Sequence, residues 1–491
     1  MGCSVVVVAV AVSGLGGLVF GYELGIISGA LLQLQFQFQL HCVQQEAVVS
    51  SLLIGAILAS VIGGWLIDRH GRRTSILLSN LLIIGGSLIL SISISFLMLI
   101  SGRVLVGFAM CVSSMSCCIF VSEMVSPERR GLMVTLYEVG VTIGILFAYV
   151  VNCVLSGAQE GWRYMFGLAV APSLAQLVLI WVLPPQHMPI IQLPNENTEN
   201  RTLNGAQMHK KTYTIGNLFQ RQDNMCTRTV IGLGLVMFQQ FSGQPNVLFY
   251  ASTVFQSVGF ESGASAVLAS LGLGIIKVIA TLAAMFCADK VGRRPLLIGG
   301  CSVMAVGLMI IGFLSRYSEF DSVKHCSSDS NNTVFSEIGN NNTTALHHDA
   351  GKSNWIILFC MMTVVAAFSM GFGPMTWVVL SEIFPADVRG RAFALSNCFN
   401  WAANLIVTFS FLNVMDVMGL SGTFFTYGVI AVAAVVFIYI LLPETKGKAL
   451  QDIDRELCER RFPHRAEFCS LFQRRRFSPG YQRVSWTSSS V

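Results

Sequence analysis

GWLIDRHGRR, at residues 64–73, ends a long apolar run with a short and strongly basic turn. The related sequence DKVGRR follows another apolar run at residues 289–294, so that Asp289 lies 221 positions after Asp68. Glycine lets a chain turn tightly and lets helices approach closely, and an aspartate beside arginines can join helix ends through charge-assisted bonds. A second copy in register favours a duplicated structural element over basic residues that only anchor the ends of membrane spans.

A second pair of repeated motifs supports the duplication. Ser122-Glu123 precedes Arg130-Gly131 by eight residues, and Ser381-Glu382 precedes Arg389-Gly390 by the same distance, 259 positions later. This offset exceeds the first by 38 residues, which is about the length of the polar segment 316–354. The sequence therefore predicts two related halves, the second of which carries an insertion. Parallel repeats of this kind place a substrate site between the halves near the membrane midplane.

The composition is that of an integral membrane protein. Of the 491 residues, 53% are hydrophobic and only 12% are charged, whereas soluble domains carry about 25% charged residues. These values exclude a disordered chain, a collagen-like fibre and a small module held by disulfides. The net charge of +5 is spread over short loops and a tail, which argues against a nucleic-acid partner. Of the 14 cysteines, only Cys42 and Cys326 are predicted to lie outside the membrane on one side, and a bridge between them is left open.

Twelve apolar runs are long enough to cross a bilayer, which takes about 20 residues for a helix. They divide the chain into a first six-helix bundle at 1–184, a cytoplasmic loop at 185–226, a second bundle at 227–442 and a cytoplasmic tail at 443–491. The predicted spans lie near 5–31, 47–67, 75–99, 101–122, 132–155, 163–184, 227–252, 263–288, 295–315, 355–380, 390–413 and 420–442.

The distribution of lysine and arginine predicts the orientation. These residues concentrate in the loops after the even-numbered spans and in the tail, and cytoplasmic loops are enriched in them. Both termini are thus expected in the cytoplasm, and the 316–354 loop on the opposite side. That loop contains glycosylation acceptor sites at Asn331, Asn341 and Asn342, whereas the site at Asn200 lies on the cytoplasmic side and is expected to stay unused.

Further motifs make the chain resemble the sugar porter branch of the major facilitator superfamily, and within it the facilitative glucose transporters. The resemblance covers about residues 10–450 and implies an all-α membrane fold, the major facilitator fold, with twelve transmembrane helices in two six-helix bundles. The motifs that carry it are Gly102-Arg103, Ser122-Glu123 to Arg130-Gly131, Gly161-Trp162-Arg163, Gln239-Gln240-x-x-Gly243, Gly371-x-Gly373-Pro374-x-x-Trp377, Asn400-Trp401-x-x-Asn404 and Pro443-Glu444-Thr445-Lys446-Gly447.

The resemblance implies a set of sugar ligands. A sugar site needs donors and acceptors in a fixed arc and an aromatic surface over one sugar face. The amides of Gln239, Gln240 and Asn404 match the family's sugar ligands, and Trp377 matches its aromatic lid, with Phe368 beside it. The alternative is that such polar side chains only join neighbouring helices in the membrane.

Three positions depart from the family pattern. Pro245 replaces the family's asparagine, which displaces the amide to Asn246 and can bend the helix. Glu138 and Lys277 stand where the family has a glutamine and an asparagine. An unpaired charge within a membrane span is costly, and spans 5 and 8 meet between the halves in this family. We therefore expect Glu138 and Lys277 to pair across the cavity.

Two further groups of charged residues have implied roles. Glu23 and Arg103 match the acid and arginine of proton-coupled sugar symporters, whereas the glucose uniporters have an asparagine in place of the acid; a purely structural ion pair is the alternative. The family's cytoplasmic clusters close the inner side, and static anchoring of the topology is the alternative. The matching residues of this inner gate are Asp68, Arg72, Glu123, Arg130, Asp289, Arg293, Glu382 and Arg389.

The sequence therefore predicts facilitative transport of hexose sugars, such as glucose, by alternating access across the plasma membrane or an endomembrane. Dehydroascorbate is a second expected cargo, and proton-coupled symport through Glu23 and Arg103 is an alternative mechanism. A sugar receptor that does not transport is an alternative of another class. No catalytic group, cofactor or metal is expected, and one chain is expected to work alone in the lipid bilayer.

Overall fold

The computed structural model describes residues 3–124, 130–182, 218–219, 224–258, 263–317, 343–446 and 453. Within these ranges the regular structure is helical, with no strand. Seventeen helices occur there. They are α1 (Cys3–Gly25), α2 (Ile27–Phe38), α3 (Cys42–His70), α4 (Arg72–Ser91), α5 (Phe96–Met124), α6 (Arg130–Leu155), α7 (Gly161–Gly167), α8 (Val170–Val182), α9 (Met225–Phe241), α10 (Gln244–Phe249), α11 (Ala251–Ser257), α12 (Gly263–Val291), α13 (Arg293–Tyr317), α14 (Thr343–Met370), α15 (Phe372–Ile383), α16 (Ala386–Phe409) and α17 (Phe411–Leu441).

Ten helical segments of the described chain are long and apolar enough to cross a membrane. The two other predicted spans coincide with α9–α11 and with α16. The first is interrupted after Phe241, where Gly243 has a φ of +79°, and again at Tyr250. The second begins with charged residues at Asp387, Arg389 and Arg391. A broken helix and a polar one are the features that transporters place around a substrate site.

Helices α1–α8 pack mainly with one another, and α9–α17 do the same. Glycine sets the closest approach in the first group, because a Cβ on Gly21 would lie 1.9 Å from the carbonyl oxygen of Val141 on α6. Small residues allow helices to approach in this way within a membrane. The same device joins α3 to α5, since a Cβ on Gly107 would lie 1.9 Å from the carbonyl oxygen of Leu52.

The two groups meet along two main helix pairs, α6 with α12 and α3 with α16. In the first pair, Gly274 lies against Tyr149 and Leu146, as the sequence predicts for spans 5 and 8. In the second, Asn397 Nδ2 donates to Ser60 Oγ at 3.0 Å. These contacts bring α12 and α16 of the second group against the first.

Several helix boundaries differ from the predicted spans. The turn predicted near residue 100 lies at 92–95, because Arg163 Nη1 donates to the carbonyl oxygens of Ser91 and Ser93 at 3.0 and 2.8 Å and so satisfies the end of α4. The last span begins at Phe411 rather than at residue 420. A kink at Gly419, whose φ is +71°, lies near the predicted start.

Cys42 is disulfide-bonded, and Cys326 lies outside the described residues. The predicted pairing of these two cysteines therefore stays a prediction.

Candidate functional site

Two consecutive glutamines end α9, and each is anchored through its amide nitrogen. Gln239 Nε2 donates to the carbonyl oxygen of Phe372 at 2.8 Å, at the break between α14 and α15. Gln240 Nε2 donates to Asn400 Oδ1 on α16 at 2.6 Å. The broken backbone after Phe241 leaves this end of the helix next to other broken or polar segments. The anchors fix the direction in which each amide presents its oxygen.

The oxygen atoms of these amides have no hydrogen-bond partner among the described residues. Gln239 Oε1, Gln240 Oε1 and Asn246 Oδ1 are all buried and unpartnered, although buried polar atoms are satisfied in the great majority of cases. The Asn246 amide nitrogen donates to the carbonyl oxygen of Val407 at 3.1 Å and to the Tyr427 hydroxyl at 2.9 Å. We call Gln239, Gln240, Asn246, Asn400 and Asn404 the central cluster. Its free acceptors suit a ligand that offers hydroxyl donors.

Asn404 has a different contact from the other members of the central cluster. Its Oδ1 accepts from Thr408 Oγ1, one turn further along α16, at 3.0 Å. An amide that receives this bond keeps its two N–H donors for other partners. The central cluster thus offers donors from Asn404 as well as the acceptors of the glutamines and Asn246.

Aromatic side chains lie on α15 and α16, the helices that anchor the two glutamines. Trp377 on α15 is half-buried and stacks on Phe393, with ring centroids 6.1 Å apart and planes at 28°. Phe20 of the first helix group contacts Trp401 of the second at 6.2 Å and Tyr137 at 6.3 Å. Flat aromatic faces of this kind cover the weakly apolar faces of a sugar ring.

Glu138 on α6 and Lys277 on α12 face each other across the two helix groups. Their charges interact, but no oxygen–nitrogen distance between them falls within the 4.0 Å limit of an ion pair. Lys277 Nζ lies 5.8 Å from the centroid of the Phe368 ring, which it approaches as a cation over an aromatic face. The structure thus brings the two residues into proximity, with Lys277 over Phe368, and their pairing across the cavity stays a prediction.

Glu23 and Arg103 form a fully enclosed pair inside the first helix group. Their charged ends are 4.0 Å apart, and each side chain is only 1% exposed. Arg103 Nη1 also donates to the backbone carbonyl of Glu23 at 3.4 Å, and Ser87 donates to Glu23 Oε1 at 3.3 Å. Glu23 Oε2 accepts no hydrogen bond. The pair has the proximity that the sequence predicts, and its carboxylate retains capacity for a proton.

The predicted inner gate is described in part. Arg293 and Glu382 form an ion pair at 3.2 Å within the second helix group, and Asp68 and Arg72 form a looser one at 3.7 Å. Arg389 Nε donates to the carbonyl oxygen of Phe384 at 3.3 Å. The side chains of Glu123, Arg130 and Asp289 lie outside the described residues, as do the glycosylation sites Asn331, Asn341 and Asn342.

Sequence reasoning missed several side chains of the site. The motif that contains Asn400 and Trp401 assigns no role to either residue. In the structure, Asn400 accepts a hydrogen bond from Gln240, and Trp401 contacts Phe20. The motif that contains Glu444 likewise assigns it no role. Its carboxylate accepts from the backbone N–H groups of Arg293 and Arg294, both at 3.1 Å, and so caps α13. The polarity of residues 397–404 within an apolar span was the available signal for Asn400.

Comparison with known proteins decides the family. The profile of the family described as "Sugar (and other) transporter" matches residues 7–457. The chain belongs to the sugar transporter family. Its cargo class is therefore sugar, moved across a membrane by a multi-pass protein, and it is not an enzyme.

Individual relatives agree with this assignment. Facilitated glucose transporter member 10 of solute carrier family 2 from Danio rerio is 62% identical over the whole of both chains. The Homo sapiens member 10 is 45% identical, over 92% of this chain and 93% of its own length. The Homo sapiens member 12 is 39% identical, over 90% and 84%. The sequence at residues 21–24, 243–246 and 401–404 predicts greater similarity to member 10 than to member 12. The comparisons confirm this prediction.

Solved structures of sugar transporters share the fold. A D-xylose-proton symporter superposes with a TM-score of 0.70 at 27% identity, over 90% of this chain and 99% of its own. An inward open conformation of the xylose transporter XylE from E. coli gives 0.68 at 28% identity, over 91% and 98%. The predicted major facilitator fold is confirmed.

Proposed function

We propose that this transporter carries hexose sugars such as glucose by facilitative diffusion, with the central cluster as the sugar site. The observation that carries the proposal is the set of buried, unpartnered amide oxygens on Gln239, Gln240 and Asn246. Each is aimed by an amide whose nitrogen is already bound. A hexose supplies hydroxyl donors for these oxygens and hydroxyl acceptors for the amide N–H groups of Asn404.

The surroundings of the central cluster suit a ligand that is bound and then released. Trp377, together with Phe368, supplies apolar surface for one face of the sugar ring. Neutral amides hold sugar hydroxyls without the strong charge-assisted bonds that would slow release. Trp401 contacts Phe20 of the other helix group. A sugar bound at the central cluster therefore affects contacts on both sides of the interface between the helix groups. Rocking of the two groups about this point gives alternating access.

Glu138 and Lys277 distinguish this site from one lined only by amides. Their charged ends interact without direct contact, which leaves room for a cargo group that accepts from Lys277 and donates to Glu138. A small molecule that carries both a carbonyl and a hydroxyl group provides both functions. Dehydroascorbate, a compact oxidised sugar lactone, has this chemistry and is a second candidate cargo.

The topology belongs to the same proposal. Both termini and the 185–226 loop are cytoplasmic, and the 316–354 loop is extracytoplasmic and glycosylated, in the plasma membrane or an endomembrane. The uneven distribution of lysine and arginine supports this orientation. One chain carries both helix groups and the whole central cluster, and therefore functions as a monomer.

Proton-coupled symport is the second candidate, and the Glu23–Arg103 pair favours it. A buried carboxylate with one free oxygen can hold a proton when Arg103 moves away. Among the structural neighbours, one is named a D-xylose-proton symporter. Glu23 lies on α1, two residues beyond Gly21, where α1 contacts α6. A change in protonation would therefore reach the helix that carries Glu138.

Uptake of labelled 2-deoxyglucose and dehydroascorbate into proteoliposomes, with and without an inward proton gradient, tests both candidates. Uptake that equilibrates and ignores the gradient supports the facilitative mechanism. Accumulation above equilibrium that is lost in Glu23→Gln supports symport and refutes simple facilitation. If purified protein moves neither solute, both cargo assignments are wrong.

A further inference from the structure

At the predicted outer end, the two helix groups are joined by a buried carboxylate. Glu46, one turn into α3, is fully buried. Its Oε1 accepts from the backbone N–H of Asn413 at 3.0 Å, and its Oε2 accepts from Asn413 Nδ2. We call Glu46 and Asn413 the outer latch.

The outer latch has the chemistry of a helix cap supplied by another part of the molecule. Asn413 lies in the first turn of α17, whose N–H groups have no partner within the helix. The residue at the usual capping position, Ser410, makes no capping bond and instead donates to the carbonyl oxygen of Ile406 at 2.8 Å. A carboxylate satisfies these donors and also complements the positive end of the helix dipole.

Two neutral contacts join the helix groups near the same end. Ser28 and Ser252 hydroxyls are 3.1 Å apart, and the Ser252 backbone N–H donates to Ser28 Oγ at 3.2 Å. The Tyr149 hydroxyl donates to the carbonyl oxygen of Leu248 at 2.9 Å. Of these three contacts, the one made by Glu46 carries a charge. Separation of the groups at this end would leave the first turn of α17 uncapped and would require water around the carboxylate.

We propose that Glu46 is a positioning residue for the transport cycle, whose carboxylate stabilises the arrangement that is closed on the outer side. The proposal rests on alternating access by this carrier. A neutral side chain at this position accepts fewer hydrogen bonds and does not complement the helix dipole, so loss of the carboxylate should weaken the closed arrangement.

Hydrogen–deuterium exchange of the full chain in lipid nanodiscs tests the proposal. The variant is Glu46→Gln, which keeps the size of the side chain and removes its charge. The matched control is Gln45→Leu, because Gln45 is the adjacent buried residue and donates to the carbonyl oxygen of Leu40 within its own helix group. Asn413→Ala removes the side-chain donor alone and provides a second variant if Glu46→Gln folds poorly.

The expected result is about tenfold faster exchange in Glu46→Gln at two places, the Asn413 amide and the Ser252 amide. Asn413→Ala should give a smaller increase at both places, and Gln45→Leu none. The Ser252 amide is informative because it bonds the opposite helix group and lies on a different helix from the outer latch. Faster exchange at Asn413 alone would reduce Glu46 to a local cap and overturn the proposal.

These measurements need no sugar, so a failure of hexose uptake would contradict the proposed function without touching them.

Discussion

The contact between α1 and α6 gives a prediction whose magnitude follows from the structure. An alanine Cβ at Gly21 would lie 1.9 Å from the carbonyl oxygen of Val141 and 2.7 Å from its carbonyl carbon. Ordinary contacts begin near 3.4 Å, so Gly21→Ala must separate the two backbones locally by roughly 1.5 Å. Backbone atoms cannot rotate away as a flexible side chain can. The two helices themselves must therefore move.

This movement should affect both stability and transport. Overpacking of a well-packed contact costs about 1–3 kcal/mol. Glu138 lies one turn before Val141 on α6, and Glu23 lies two residues after Gly21 on α1, so both charged residues would be displaced. A displacement of about 1 Å can cost on the order of 100-fold in rate at a positioned site. We expect sugar uptake at subsaturating concentration to fall at least tenfold and the thermal unfolding temperature in detergent to fall.

Gly14→Ala is the matched control, because it makes the same substitution on the same helix where an added Cβ has no neighbour within 4 Å. Its uptake and unfolding temperature should stay close to those of the wild type. Uptake by proteoliposomes and a fluorescence-detected thermal ramp on the same preparations give both quantities. Wild-type transport by Gly21→Ala would refute the reasoning, as would equal losses in the two variants.

Three further predictions concern the site and the topology. Lys277→Asn and Glu138→Gln should each reduce uptake more than the double exchange does, since each single change leaves an uncompensated charge in the membrane. A double variant that transports no better than the single variants would contradict the coupling between the two charges. Gln240→Ala and Asn400→Ala should each raise the KM for sugar about two- to tenfold, the equivalent of one hydrogen bond. The double variant should raise the KM by less than the product of the two single effects, because both changes remove the same 2.6 Å bond. Multiplicative effects would show that this bond does not align the amide. Protein made in glycosylating cells should lose its glycosidase-sensitive mass when the three asparagines of the 316–354 loop are changed to glutamine. Asn200→Gln should leave that mass unchanged, and a mass shift in this variant would contradict the predicted orientation. These three are Asn331, Asn341 and Asn342.

Much of the architecture could be predicted because a membrane constrains the chain strongly. Backbone groups in hydrocarbon must be satisfied within a helix, so the number and placement of the apolar runs predict the helices. The repeats around Asp68 and Asp289 predict two related groups, and the described helices do pack in two groups. The boundaries were less certain. The turn at 92–95 depends on Arg163, which is about 70 residues away in sequence.

The resemblance to sugar porters predicts the amides and the aromatic side chains of one sugar site, and it assigns the charged residues to separate groups. It could not determine which atom of each amide is free, since the anchors of Gln239 and Gln240 come from Phe372 and Asn400, more than 130 residues later. It predicts that Glu138 and Lys277 pair across the cavity, but nothing in it indicates that Lys277 lies over the Phe368 ring.

The outer latch marks the limit of sequence reasoning most clearly. A glutamate near the start of an apolar run is an expensive residue in a membrane, but nothing local to Glu46 predicts its partner, which is 367 residues away. Composition and the apolar runs predict a membrane protein, the repeated motifs predict two related helix groups, and the resemblance to sugar porters predicts the transporter family. Only the tertiary structure decides which buried polar atoms meet across the two groups, because that depends on how the helices pack rather than on how each one forms.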